Sequence, residues 1–128
     1  MTPNSVTSEH APAPVGPYSH ACATPSGLVY LSGQTPIDPA TNELVTGGIT
    51  EQTARVFRNL EHVLEAAGCG FRDVVKVNVY LVDMNDFAEM NAVYATYFDG
   101  RFPARTTVAV AGLPLGARVE IEMQALQP

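Results

Sequence analysis

An arginine and two acids lie close together near the C-terminal end of this 128-residue chain. Arg105 stands in Pro103-Ala104-Arg105-Thr106-Thr107-Val108-Ala109-Val110, and Glu120 and Glu122 stand in Val119-Glu120-Ile121-Glu122-Met123. The planar guanidinium of an arginine can hold a carboxylate by two parallel hydrogen bonds, which a lysine does less well. A carboxylate beside a ligand held in that way can position a water and take its proton. Together the three groups have the chemistry to bind a small organic acid and to move protons next to it.

For these groups to meet, the elements that carry them must share a face. Residues 118–125 alternate strictly, with Val119, Ile121, Met123 and Ala125 on one side and Arg118, Glu120, Glu122 and Gln124 on the other, which predicts a half-buried strand. Residues 105–111 alternate as well, with Thr106, Val108 and Val110 as the apolar set and Arg105, Thr107 and Ala109 opposite. Gly112, Pro114 and Gly116 interrupt the two runs, so an antiparallel hairpin is expected, with Arg105 facing Glu122 and Thr107 facing Glu120. On patterning alone the same arrangement also fits an ordinary cross-strand ion pair on a solvated face, worth about 0–1 kcal/mol.

Upstream, residues 1–12 are rich in Ser, Thr, Pro and Ala and read as a flexible leader, with one domain spanning 13–128. Strand-like runs at 18–23 and 28–32 flank the turn cluster Thr24-Pro25-Ser26-Gly27. Thr50 can cap a helix whose Val56, Leu60, Val63, Leu64 and Ala67 share a face, and Gly68 ends it. Residues 74–82 are a β-branched strand with Val75, Val77, Val79 and Leu81 on its apolar side. A second helix opens at Asn85 or Asp86, with Phe87, Met90, Asn91, Tyr94, Tyr97 and Phe98 toward the sheet. The order β-β-α-β-α-β-β predicts an α+β fold, a single mixed sheet with two helices on one face. Its other face is left with more partly polar surface than a monomer leaves uncovered, so self-association is expected.

Composition narrows the function classes. Apolar residues are 46 % and charged residues 16 %, which favours a globular domain over disorder. No apolar run approaches membrane-spanning length and no secretory pattern opens the chain, so a cytoplasmic location without membrane attachment is expected. Cys22 and Cys69 have no metal-ligand spacing, and no metal site or disulfide framework is expected. The net charge of −6 offers no broad basic surface for nucleic acid. Among the histidines, His10 falls in the leader, His62 lies between Glu61 and Glu65 on a helix, and His20, two residues after Tyr18, is a candidate for a pocket rim.

Several linked motifs resemble one family in the same order. Gly16-Pro17-Tyr18-Ser19, Leu28-Val29-Tyr30-Leu31-Ser32-Gly33-Gln34-Thr35-Pro36, Asp83-Met84-Asn85-Asp86-Phe87 with Asn91, the Pro103-Ala104-Arg105 strand and Val119-Glu120-Ile121-Glu122 are similar to the signatures of the reactive intermediate deaminases of the RidA or YjgF type, over roughly residues 13–126. The resemblance implies the chorismate-mutase-like (YjgF-type) fold and a homotrimer with sites in the clefts between subunits. It implies cofactor-independent hydrolysis of 2-iminobutanoate or 2-iminopropanoate to a 2-keto acid and ammonia. Arg105 then corresponds to the carboxylate anchor, Glu120 to the acid that handles water, and Tyr18 to the active-site tyrosine. Ser32, Gly33, Asn91 and Thr107 correspond to pocket positions, and Glu122 to a neighbouring support. The family archetype carries cysteine where this chain has Thr107, which rules out thiol chemistry there. Alternatives are a non-catalytic trimer that binds small carboxylates, and a pathway enzyme acting on a larger aminomuconate- or aminoacrylate-type enamine. Ribonuclease activity, found among relatives, has neither a basic stripe nor a histidine pair to support it.

Overall fold

Val56, Phe57, Leu60, Val63 and Leu64 recur at spacings of three and four, so one stripe of their helix is apolar. In the computed structural model, which describes residues 2–128, this helix is α1, Ile49–Ala66, and those five side chains are all buried. It begins one residue before the expected cap. Gly48 is the N-cap, and its N–H donates to Glu51 Oε1 at 2.8 Å. Gly68, at φ 76°, takes the left-handed conformation just past the C-cap Ala67, as the sequence predicts.

The strands are β1 Asn4–Val6, β2 Ala21–Ala23, β3 Leu28–Gln34, β4 Ile37–Asp38, β5 Glu43–Leu44, β6 Val74–Leu81, β7 Ala104–Ala109 and β8 Val119–Leu126, and the second helix, α2, is Phe87–Ala95. Six of them form one sheet in the order β1-β2-β3-β8-β6-β7, while β4 and β5 make a small separate ribbon. The α+β class is as expected, a mixed sheet carrying two helices on one face. Val77, Val79, Leu81, Val119, Ile121, Met123 and Ala125 from the sheet meet α1 and the aromatic cluster of Phe57, Phe71, Tyr94, Tyr97 and Phe98, in which Phe57 stacks on Tyr97 at 4.4 Å.

Three expectations are corrected. Residues 105–111 and 118–125 do not form a hairpin. β7 pairs in parallel with β6, placing Arg105 beside Val77 and Thr107 beside Val79, while β8 lies between β3 and β6 and is antiparallel to both. The reason is the crossover: α2 carries the chain back along β6, so the next strand runs the same way. Alternation identifies the two faces of a strand but not its neighbours. Because buried Val77 and Val79 are level with Arg105 and Thr107, these two residues belong to the helix-covered side, and the β-branched Thr106 and Val108 face the open side with Asn78 and Tyr80.

Residues 4–6 are likewise not part of a loose leader. They form an edge strand against β2, with Ser5 opposite Cys22. His20 fastens residues 8–12, accepting from Ser8 N–H through Nδ1 at 3.0 Å and donating through Nε2 to the Pro12 carbonyl at 2.7 Å. Finally, a bulge between Val74 and Lys76 turns Val75 outward, leaving Val74 in its place in the core. No helix among the described residues is long and apolar enough to cross a membrane.

Candidate functional site

The site begins at an irregularity in β3. Leu31 pairs with Met123 and Gln34 with Ile121, so three steps on β3 match two on β8, and Ser32 and Gly33 form a bulge. Ser32 uses the bend to reach sideways. Its Oγ donates to the Ser19 carbonyl at 2.7 Å and its N–H to the His20 carbonyl at 2.9 Å. These bonds fasten the segment that carries Tyr18 beside the bulge. Tyr18 lies before β2 rather than within it, is 45 % exposed, and accepts from Val15 N–H at 3.4 Å.

Glu120, on β8, lies across Gly33. A Cβ on Gly33 would come within 2.9 Å of the Glu120 carboxyl carbon, so the carboxyl group occupies the space a side chain would need. Tyr18, Ser32, Gly33, Glu120 and Glu122 line one groove of about 690 Å³, walled further by residues 12–15, Ile37 and Leu115. Burial pushes the Glu120 carboxyl above the usual range, and the charge of Glu122 adds to the effect. Glu122 accepts from Asn78 Nδ2 at 3.2 Å and from the Tyr80 hydroxyl on β6. That hydrogen bond, with burial, pushes Tyr80 up to about 12.

A second group assembles around Arg105. Its Nη1 donates to Asn91 Oδ1 at 2.8 Å, and its guanidinium sits 4.6 Å from the Tyr94 ring centroid and 5.6 Å from that of Phe87. Asn91, Tyr94 and Phe87 all come from α2, at i, i+3 and i−4, so one helix face supplies both an acceptor and a π-surface for the cation. Arg105, Asn91 and Tyr94, with Phe102 and Pro103, line a pocket of about 310 Å³.

The residues read from sequence thus fall into two groups. Tyr18, Ser32, Gly33, Glu120 and Glu122 come together, and so do Arg105 and Asn91. Within one chain Arg105 does not share a face with Glu120, as the hairpin reading expected, because the edge strand β7 turns its arginine toward α2. Thr107 lines neither groove; its Oγ1 is buried without a hydrogen-bond partner among the described residues. His20 is a structural clamp rather than a rim residue, and His10 and His62 pair their rings at 5.5 Å away from both grooves. Sequence reasoning missed residues 12–15 and Leu115 as walls. Leu115, in a left-handed turn at φ 59° between Pro114 and Gly116, carried a signal in those neighbours that was read only as a strand break.

These features define an α+β protein with a cation on the helix-covered edge of the sheet and a pair of carboxyl groups on the open face. The chain belongs to the endoribonuclease L-PSP family, the YjgF/RidA family, whose sequence model matches residues 8–127. It is 48 % identical over 122 residues to a mouse protein named 2-iminobutanoate/2-iminopropanoate deaminase, covering 95 % of this chain and 90 % of that one. Among solved structures, the yeast protein YEO7 superposes with a TM-score of 0.95 at 46 % identity, covering 99 % of this chain and 100 % of the other. Escherichia coli TdcF with bound serine superposes at 0.91 with 33 % identity, covering 98 % and 99 %.

Proposed function

We infer that this protein is a 2-iminobutanoate/2-iminopropanoate deaminase, hydrolysing reactive imines to 2-keto acids and ammonia without a cofactor. The observation that carries the reading is its 48 % identity to the mouse deaminase across 95 % of the chain. The site supports it. Arg105 spends one donor on Asn91 and keeps others for the carboxylate of an imino acid, while Glu120 and Tyr18 flank a groove where water can reach the imine carbon. The structure of TdcF with serine bound adds a relative that takes a small ligand bearing a carboxylate.

Because the two groups lie on opposite faces of one sheet, the reading requires a second copy. A homotrimer brings Arg105 and Asn91 of one copy against Tyr18, Ser32, Gly33 and Glu120 of the next, and covers the open face that carries Tyr30 and Val108, 47 % and 42 % exposed. The reaction belongs to the cytoplasm, where pyridoxal-phosphate enzymes release such imines. A ribonuclease reading finds no support in the larger groove, which no arginine, lysine or histidine lines.

The test couples a threonine dehydratase, as a source of 2-iminobutanoate, to keto-acid formation with and without this protein. Acceleration lost in Arg105→Ala supports the reading, and no acceleration by folded wild-type protein overturns it.

A further inference from the structure

Glu120 and Glu122 lie two residues apart on one face of β8, yet their surroundings differ. In the ladder with β6, Tyr80 is directly opposite Glu120 and Asn78 directly opposite Glu122. The Tyr80 hydroxyl nevertheless reaches diagonally, so that both it and Asn78 Nδ2 donate to a single oxygen, Glu122 Oε1. Glu120 accepts no hydrogen bond among the described residues and is pressed half-buried onto Gly33. A partly desolvated carboxyl without donors, beside a carboxylate fixed by two donors, favours its neutral form.

The remaining neighbours reinforce the difference. Tyr18 comes from the segment before β2, Tyr80 from β6 and Glu122 from β8, and the β3 bulge contributes only uncharged Ser32 and Gly33. Lys76, on the same sheet face, gives its ammonium to Thr106 Oγ1 at 2.9 Å. Among the described residues no cation lines the groove. The Arg105 that a second copy would bring is matched by the carboxylate of the substrate it holds.

We propose that the pair is unequal by construction: Glu122, held by Tyr80 and Asn78, is a positioning residue whose fixed carboxylate keeps the proton on Glu120, so that Glu120 enters the reaction as an acid. The proposal rests on the deaminase reading above. The Glu120 carboxyl passes its proton to the imine nitrogen, giving an iminium and a carboxylate. Water adds to the imine carbon as the C=N π pair moves to nitrogen, and the proton released from that water returns to Glu120. The same proton then goes to the amino nitrogen. The C–N bond breaks, ammonia leaves, and the carbinol O–H proton returns to Glu120 as the C=O bond forms, so that the acid is restored. A neutral Glu120 also meets the substrate carboxylate without repulsion, which an ionised one does not.

The test follows the side-chain carboxyl carbons of 13C-glutamate-labelled protein by NMR across pH, without substrate, with Glu120→Gln assigning the Glu120 signal. The expected result is that Glu120 titrates above the ordinary glutamate range and that its midpoint moves to lower pH in Glu122→Gln. Tyr80→Phe, which keeps both acids, moves it the same way. In the coupled assay the alkaline limb of kcat/KM moves to lower pH in both variants. Glu120 titrating as an ordinary glutamate, or unmoved by Glu122→Gln and Tyr80→Phe, overturns the proposal. An upward-shifted Glu120 that responds to both variants, in a protein that forms no keto acid, overturns the deaminase reading while leaving the unequal pair intact.

Discussion

In the proposed reaction Arg105 acts through geometry that a lysine cannot copy. Its guanidinium donates to the Asn91 oxygen at 2.8 Å and sits 4.6 Å from the Tyr94 ring centroid, contacts that fix its position and leave further N–H donors for a carboxylate. Removing it as Arg105→Ala should therefore lower kcat/KM for an imino acid by about 30-fold or more, corresponding to about 2 kcal/mol or more for a lost charge-assisted pair. Arg105→Lys should recover only part of that loss in the same assay. Gly33 is constrained by contact, since a Cβ there would meet the Glu120 carboxyl carbon at 2.9 Å. Gly33→Ala should leave the protein folded, at a cost of about 1–3 kcal/mol measured by denaturant titration, and should depress kcat by displacing Glu120. Glu120 also carries a pH signature. Its carboxyl is raised by burial, so the folded state binds this proton more tightly than the unfolded chain. The contribution is fully present below the unfolded value and is lost as pH rises through the folded one. Glu120→Gln, which cannot ionise, should thus gain thermal stability relative to the wild type at neutral pH and lose that advantage in acid, and an equal difference at both would contradict the assignment.

The strands and helices were legible where a period met a boundary residue. The Val56-Leu60-Val63-Leu64 stripe with Gly68 fixed α1, and the strict alternation of Val119, Ile121, Met123 and Ala125 fixed β8. Pairing was not legible, because which strand lies beside β8 depends on the long β3 contact and on the α2 crossover, neither of which leaves a local mark. Thr106 and Val108 look like a buried set, yet face the open side because β7 takes its orientation from β6. The segment up to residue 12 reads as loose in sequence because the order of residues 8–12 comes from a residue outside it. His20 satisfies Ser8 N–H and the Pro12 carbonyl at once. His20→Leu should strand both groups and destabilise the protein by about 1–3 kcal/mol per unsatisfied buried group, with faster hydrogen exchange in residues 4–15 as the local readout.

Across the molecule, the candidate site residues could be named one by one from the motifs, but their grouping followed from the fold. Tyr18, Ser32, Gly33 and Glu120 meet because the β3 bulge and the Ser32 bonds gather them, and Arg105 and Asn91 meet because α2 packs on the edge strand. The proposed working site takes its cation from one copy and its acid from another. Arg105→Ala and Glu120→Gln should each be strongly impaired alone yet complement one another. The decisive experiment is to mix the two variants in equal amounts, unfold and refold them together, and assay imine hydrolysis. Random assembly predicts recovery to about a quarter of the wild-type rate, since that share of subunit contacts joins an intact arginine to an intact acid. A co-refolded mixture that is folded and oligomeric but no more active than either variant alone would contradict a site shared between copies.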